Sequence, residues 1–377
     1  MAIDHVQPGQ GIHVGTPAAT PLCLGCRPGR LHVLGDDEDD LMVLAHASLR
    51  QLAAQVRDVE VHAGQRSDYE REMTDSLAGK RIVVTGVTGQ VARPLAMALA
   101  KDNEVFGAAR FGDQSVRADL ESHGVRCIPI DLLAGDVTGL PSDADYVLHF
   151  AVAKSNNWEA DLRANSGGLA SLMEHHQAAS AFLHCSTTGV YKPEGHRVFD
   201  EDAPLGDNHG VWPFLRTYSI CKIAAEGTAR WAADRYNLPT TIARLSVPYG
   251  DNGGWPAIHL HMMLSGNAIP VHVDAPSVYH PLHADDILAT VPKLLKVASV
   301  PATTVNWGGS EAVSIEEWCT YLAGLMGIEA RFQPTDQTID SVQIDTTRMH
   351  ELIGRTTVPW RDGMTRMVAA LYPDRAT

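Results

Sequence analysis

Arg81-Ile82-Val83-Val84-Thr85-Gly86-Val87-Thr88-Gly89-Gln90-Val91-Ala92 is the stretch on which the fold turns. Its first five residues form a short apolar, β-branched run, the pattern of a strand buried on both faces. The run stops at Gly86, and a helical pattern then extends over Gln90–Lys101. A strand that passes through a glycine turn into a helix builds a seat for a pyrophosphate. Gly86 permits the tight turn, Gly89 lets backbone N–H groups come close, and the positive end of the helix favours the ligand's charge. Thr88, Gln90 and Val91 belong to the same turn, and Ala92 is small enough for the helix to pack closely on the strand. The motif is short; its place between a strand and a helix gives it weight.

Working outward, short apolar runs alternate with helical stretches. The strand candidates are Arg81–Thr85, Glu104–Ala109, Val125–Ile130, Asp145–Ala151, Ala181–Ser186, Thr240–Leu245 and, further on, Thr303–Trp307; Tyr218–Tyr236 is the clearest long helix. Strand alternating with helix is the signature of a parallel sheet covered on both faces, an α/β architecture. Residues 77–246 carry most of this pattern. Residues 1–76 read as an N-terminal extension. There the acidic run Asp36-Asp37-Glu38-Asp39-Asp40 precedes Leu41, Leu44, Ala45, Leu49, Leu52, Ala53 and Val56 at helical spacing. Carboxylates at the positive end of an amphipathic helix are favoured by its dipole, so a solvated helix start explains the run. Met73 resembles the natural start of a dinucleotide-binding fold. Residues 1–72 are therefore either an added packing or regulatory segment or upstream sequence.

The 377 residues are 45% hydrophobic, enough for more than one packed unit, and carry a net charge of −15. That charge repels phosphate backbones, so neither nucleic acid nor an anionic membrane is expected as a partner. No apolar run approaches the ~20 residues of a membrane span, and Met1 to Pro21 lacks a secretory pattern; a cytoplasmic setting is expected. The six cysteines are scattered, several within strand or helix patterns where the thiol acts as a small buried hydrophobe. Neither Cys23-x-x-Cys26 nor the His259/His261 pair has a second half at metal-site spacing, so no metal is expected.

The second strand ends at Arg110, where an acid would accept hydrogen bonds from the adenosine ribose. An arginine there offers charge to a 2′-phosphate and favours NADP(H) over NAD(H); the competing reading is a surface arginine with that end of the cofactor unread. Asp131 and Leu132 follow the third strand, placed for the adenine. Ala151, in His149-Phe150-Ala151, lets the cofactor lie against the sheet edge. Tyr218 and Lys222 open a helix at i,i+4 spacing and share one face. A phenol of pKa near ~10 is a poor base at neutral pH. A neighbouring ammonium and an oxidised nicotinamide are both expected to draw it down. The strand before that helix ends Cys185-Ser186-Thr187-Thr188-Gly189, and a hydroxyl here can hold a substrate oxygen. Strand-end capping is the alternative for each.

Taken in order, these motifs resemble the NAD-dependent epimerase/dehydratase family, the extended branch of the short-chain dehydrogenases/reductases. The match runs over roughly residues 80–365, through Asn165, Val190-Tyr191, Arg244 to Tyr249-Gly250, His283-Ala284-Asp285-Asp286, Asn306-Trp307-Gly308-Gly309 and Asp345 to Arg348. The resemblance implies a Rossmann-like doubly wound sheet over residues 77–246. It also implies a smaller substrate-binding region over 247–377, of which 280–312 returns to the Rossmann unit, and a homodimer. It makes Thr187 the active-site hydroxyl, Tyr218 the acid/base and Lys222 the ligand of the nicotinamide ribose. Three departures qualify it. Val247 and Tyr279 stand where nucleotide-sugar members carry asparagine and arginine, and Thr188-Gly189 stand where dehydratases place Asp-Glu. Water elimination is therefore not expected. The wall of the substrate site is expected from Asp251 to Pro281, with Trp255, Ile258, His259, His261, Met262, Met263, His272 and Tyr279.

The expected activity is NADP(H)-dependent interconversion of a carbonyl and an alcohol on a small or medium organic substrate. The alternative is a sugar or nucleotide-sugar epimerase working by transient oxidation. A cofactor-sensing protein without catalysis is disfavoured, because it would have no need of Thr187, Tyr218 and Lys222 together.

Overall fold

The computed structural model describes residues 77–374; the acidic run, the helix expected behind it and Cys23/Cys26 lie outside the described residues. Seven strands form one parallel sheet: β1 (Arg81–Thr85), β2 (Glu104–Ala109), β3 (Arg126–Pro129), β4 (Tyr146–His149), β5 (Ala181–Thr187), β6 (Thr240–Leu245) and β7 (Thr303–Trp307). Their spatial order is β7-β6-β5-β4-β1-β2-β3. The order reverses between β1 and β4, and in such sheets a ligand crevice opens at the carboxyl ends of those two strands.

Alternation along each strand sends side chains to opposite faces. From β1, Ile82 and Val84 join one apolar layer and Val83 the other, all fully buried. On one face, α1 (Ala92–Leu99) contributes Leu95 and Leu99. The other face holds α2 (Gly168–His175) and the alanine-rich α3 (Tyr218–Tyr236), whose Ala225, Ala229 and Ala232 let its axis lie close to the sheet. A second apolar core gathers α4 (Trp255–Leu264), α6 (Ile315–Leu325) and α7 (Trp360–Leu371) around Trp318. Between these two, α5 (Ala284–Lys296) packs on the sheet beside α1.

The conspicuous His283-Ala284-Asp285-Asp286 motif does local work. His283 Nδ1 accepts from the backbone of Asp285 (3.1 Å) and caps α5. Asp286 accepts from the backbone of Thr357 (2.7 Å) and Val358 (3.1 Å), fastening the C-terminal segment.

Limits differ from the sequence reading in four elements, among them the fifth strand, which extends one residue to Thr187. The third strand narrows from Val125–Ile130 to Arg126–Pro129 and the fourth from Asp145–Ala151 to Tyr146–His149. Beyond β4 the chain crosses the glycine turn, with the Ala151 N–H donating to Thr85 Oγ1 (3.3 Å). The first helix begins at Ala92 rather than Gln90, because Gln90 remains in the turn with its carbonyl accepting from Asn252 Nδ2 (2.8 Å). No helix among the described residues is long and apolar enough to cross a membrane.

Candidate active site

The glycine turn is shaped by what lies behind it. Gly86 has φ of 70°, and a Cβ there would sit 2.7 Å from the Ala151 nitrogen. Only glycine meets both conditions at low cost. The Gly89 N–H closes the turn on the Gly86 carbonyl (2.8 Å). Thr85 Oγ1 lies 2.8 Å from His149 Nδ1, joining β1 to β4 at the switch point. Across the turn, Gln90 donates to the Gly253 carbonyl (3.3 Å) while accepting from Asn252, so two hydrogen bonds clasp the loop to the second half of the chain.

A cleft of about 670 Å³ runs from this turn along the strand ends, within the usual size range of small-molecule sites. It is lined by Gly86, Thr88, Gly89, Gln90 and Val91, then Arg110, Asp131 and Leu132, then Ala151, and finally Thr187, Tyr218 and Lys222. All the residues singled out for catalysis or cofactor binding thus border one cavity. Arg110 is exposed at its rim, and Asp131, also exposed, accepts from the Leu133 N–H (3.0 Å). A glycine cradle, a helix N-terminus and a long cleft between small residues suit a dinucleotide.

At the far end of the cleft, Thr187 closes β5. Its hydroxyl accepts from the Gly189 N–H (3.1 Å), capping the turn Thr188–Val190, and lies close to the Tyr218 phenol. Capping and active-site placement thus fall on the same residue. Ser186 donates to Glu226 instead (2.6 Å). Lys222 is buried and donates through Nζ to the Cys185 carbonyl (2.8 Å).

Burial governs the electrostatics of the pair. It pushes the Tyr218 phenol up to about 12, with the Thr187 hydroxyl working weakly against it. The Lys222 ammonium does not draw it down here: it is committed to Cys185, and burial lowers its own pKa. Behind them His149 and His184 stack at 5.4 Å, both held neutral chiefly by burial and then by the Lys222 charge.

Further contributors surround the cleft, of which Lys154 and Asp161 escaped the sequence reading while Asn165 belonged to its motif set. Lys154, Ser246 and Pro248 line the cleft. Asp161 is buried, and although burial opposes it, hydrogen bonds from Ser155 and Thr217 hold its pKa below the ordinary value. Asn165 both donates to and accepts from Ala153 (2.8 and 3.0 Å), fixing the chain that leaves β4. Lone polar residues such as Lys154 and Asp161 give no periodic signal, so only their position in space reveals them.

Of the eight residues expected in the substrate wall between Asp251 and Pro281, His259, Met263 and Tyr279 are buried, whereas Trp255, Ile258, His261, Met262 and His272 are half-buried. His259 Nδ1 accepts from the Trp318 indole (3.0 Å), and burial pushes its pKa down to about 3. Tyr279 donates to the Asp340 carbonyl (2.8 Å). Trp255 packs edge-on against Tyr279 at 5.1 Å and Trp318 at 5.9 Å. Among the described residues, no group of three or more His, Cys, Asp or Glu could hold a metal ion.

Comparison with known proteins agrees with this geometry. The family model of the NAD dependent epimerase/dehydratase family matches residues 82–305. Among curated proteins none matches the chain. Solved structures similar to it include a UDP-glucuronic acid 4-epimerase from Bacillus cereus in complex with UDP-glucuronic acid and NAD. The identity is 20% and the TM-score 0.66, over 78% of this chain and 99% of that one. An epimerase from Methanothermobacter thermautotrophicus aligns at 19% identity and TM-score 0.67, over 80% of this chain and 95% of that one. A dTDP-glucose 4,6-dehydratase from Streptomyces venezuelae, with NAD bound, aligns at 20% and 0.66, over 78% and 98%. At these identities the likeness shows a shared fold. The glycine turn, the Tyr218/Lys222 helix and the matched span together make the chain a member of the NAD-dependent epimerase/dehydratase family, an enzyme of the extended short-chain dehydrogenase/reductase type.

Proposed function

We propose that the chain holds a nicotinamide dinucleotide in the cleft from Gly86 to Lys222 and inverts a secondary alcohol carbon of a sugar-like substrate by oxidising and re-reducing it. The observation that carries this reading is the convergence of Thr187, Tyr218 and buried Lys222 at the end of a cleft lined by the glycine turn. When bound, the oxidised nicotinamide supplies the hydride acceptor and a positive charge that favours the phenolate. Thr187 holds the substrate oxygen. Tyr218 takes the hydroxyl proton as the carbonyl forms and returns it on reduction. Lys222 orients the ribose. The family, and neighbours whose names describe epimerases acting on nucleotide sugars, support inversion over net oxidation. The clasp of Gln90 by Asn252 and Gly253 supports a cofactor retained between half-reactions.

A second reading, net NADP(H)-dependent carbonyl reduction, is favoured by Arg110 at the adenosine end and by the burial of Val247 and Tyr279, which leaves both positions without directed contacts to a diphosphate. We further propose that the chain forms a homodimer and that its dinucleotide-binding and substrate-binding regions divide at residue 246. The test follows stereoisomer interconversion and reduced-nicotinamide absorbance together, over sugar, nucleotide-sugar and carbonyl panels. Interconversion without net cofactor change supports the epimerase; stoichiometric cofactor consumption supports the reductase. Tyr218→Phe is expected to cost about 10²–10⁴-fold in either while binding cofactor normally. A fully active Tyr218→Phe protein would sink both.

A further inference from the structure

The segment leading into α3 places a histidine against the catalytic tyrosine. His209 is 8% exposed, and its ring meets that of Tyr218 edge-to-face, centroids 4.9 Å apart at 68°. Its other neighbour is Trp212 at 5.6 Å and 84°.

The polar edge of the ring fixes its protonation. Ser219, which directly follows Tyr218, donates its hydroxyl proton to the Gly189 carbonyl (2.6 Å). A hydroxyl has one proton and two acceptor sites. Both contacts that Ser219 Oγ receives from His209, the backbone N–H at 3.2 Å and Nδ1 at 2.9 Å, are therefore donations to it. The proton of the neutral ring sits on Nδ1. Burial, and after it the Lys154 ammonium, hold the ring neutral by pushing its pKa down to about 4.

The room for this ring exists because residue 189 is glycine. A Cβ at Gly189 would lie 2.5 Å from His209 Cε1 and 2.9 Å from Nδ1. The turn that carries Thr187 and the first turn of the helix that carries Tyr218 are thus tied together through Ser219 and wedged by one imidazole.

We propose that His209 is a positioning residue for Tyr218, setting the phenol against Thr187 through its Nδ1–H···Ser219 bond and admitted by Gly189. It acts through Tyr218 and touches no reacting atom. The inference rests on the reading of Tyr218 as the proton carrier.

The test uses the full chain with His209→Phe, which keeps a ring and loses the bond, and His209→Asn, which keeps a donor. A small displacement of a reacting group costs about 10²-fold, so His209→Phe is expected to lower kcat by about ten- to a hundredfold while KM and the cofactor Kd move less than about twofold. His209→Asn recovers most of the loss. In a Tyr218→Phe background, single-turnover rates fall less than about threefold further, because two groups that act as a unit are not additive. Equal cost in both backgrounds, or a loss confined to cofactor binding, overturns the proposal. Nitrogen NMR of the wild-type ring reads the tautomer without need of turnover: a proton on Nδ1 supports the tie, and one on Nε2 refutes it. Wild-type turnover in Tyr218→Phe would bring down the reading of the site itself, whereas a normal Tyr218→Phe defect with an unaffected His209→Phe would bring down this inference alone.

Discussion

Under the proposed function, single side chains decide which end of the cofactor is read and which proton moves. Arg110 stands exposed at the rim of the cleft beyond β2, where a guanidinium can pair bidentately with a phosphate. Arg110→Ala is expected to weaken NADPH binding by about tenfold or more, the usual worth of a charge-assisted hydrogen bond, and to leave NADH binding within about twofold. Separate fluorescence titrations of the two cofactors check this, and equal effects on both would remove the preference. The tyrosine at 218 shows why residue identity alone is a poor guide to a working pKa. The sequence places an ammonium one helical turn away, but the fold directs it at the Cys185 carbonyl and surrounds the phenol with protein.

At element scale, the Tyr218/Lys222 helix is held by charge as well as by alanines. Glu226, one turn beyond Lys222, receives a bidentate pair from Arg244 of β6, Nε to Oε1 at 2.9 Å and Nη2 to Oε2 at 2.8 Å. Burial works against this carboxylate, and the guanidinium outweighs it, holding its pKa below the ordinary value. Arg244 also reaches Tyr191 (3.1 Å) and the Glu201 carbonyl (2.8 Å), and Tyr191 donates to Asn306 of β7. Three sheet strands and α3 thus share one buried network. Removing one partner of such a pair leaves the other charged and unsatisfied. Glu226→Gln is expected to cost about 3 kcal/mol or more in urea unfolding; a loss below about 1 kcal/mol, the scale of a surface pair, would show that water reaches Arg244. A single glutamate in a helix pattern gives no hint of this role, because its partner is 18 residues away on a different element.

For the molecule as a whole, buried imidazoles set the response to acid. His149 and His259 are pushed down to about 3 and His209 to about 4, mainly by burial, and His184 is lowered as well. The ordinary value of 6.5 applies once the chain unfolds, so below it the unfolded state binds more protons than the folded one. Their contribution to stability is complete above that value and is lost as pH falls from 6.5 towards the folded values of 3 to 4. Each adds up to about 1.4 kcal/mol per pH unit within that window. The urea midpoint is expected to fall steeply on going from about pH 6.5 to about pH 4.5 and to change little above it. A flat profile through that range would mean that these rings meet water in the folded protein.

The chain's own order determined the parallel sheet, the glycine turn and the Tyr218/Lys222 pair, because each is local. Apolar period, turn chemistry and i,i+4 spacing all act within a few residues, and the observed limits of β1, β2, β6, β7 and α3 coincide with those read from the sequence. The tertiary structure decided what separate segments do when they meet. It took His259 and Tyr279 into a core rather than a pocket wall, set Lys154 and Ser246 on the cleft, and closed Asn252 and Gly253 over Gln90. It also brought His209 into the space that Gly189 leaves open. Burial and long-range hydrogen bonding are properties of what surrounds a residue, and those surroundings come from parts of the chain that no local pattern connects.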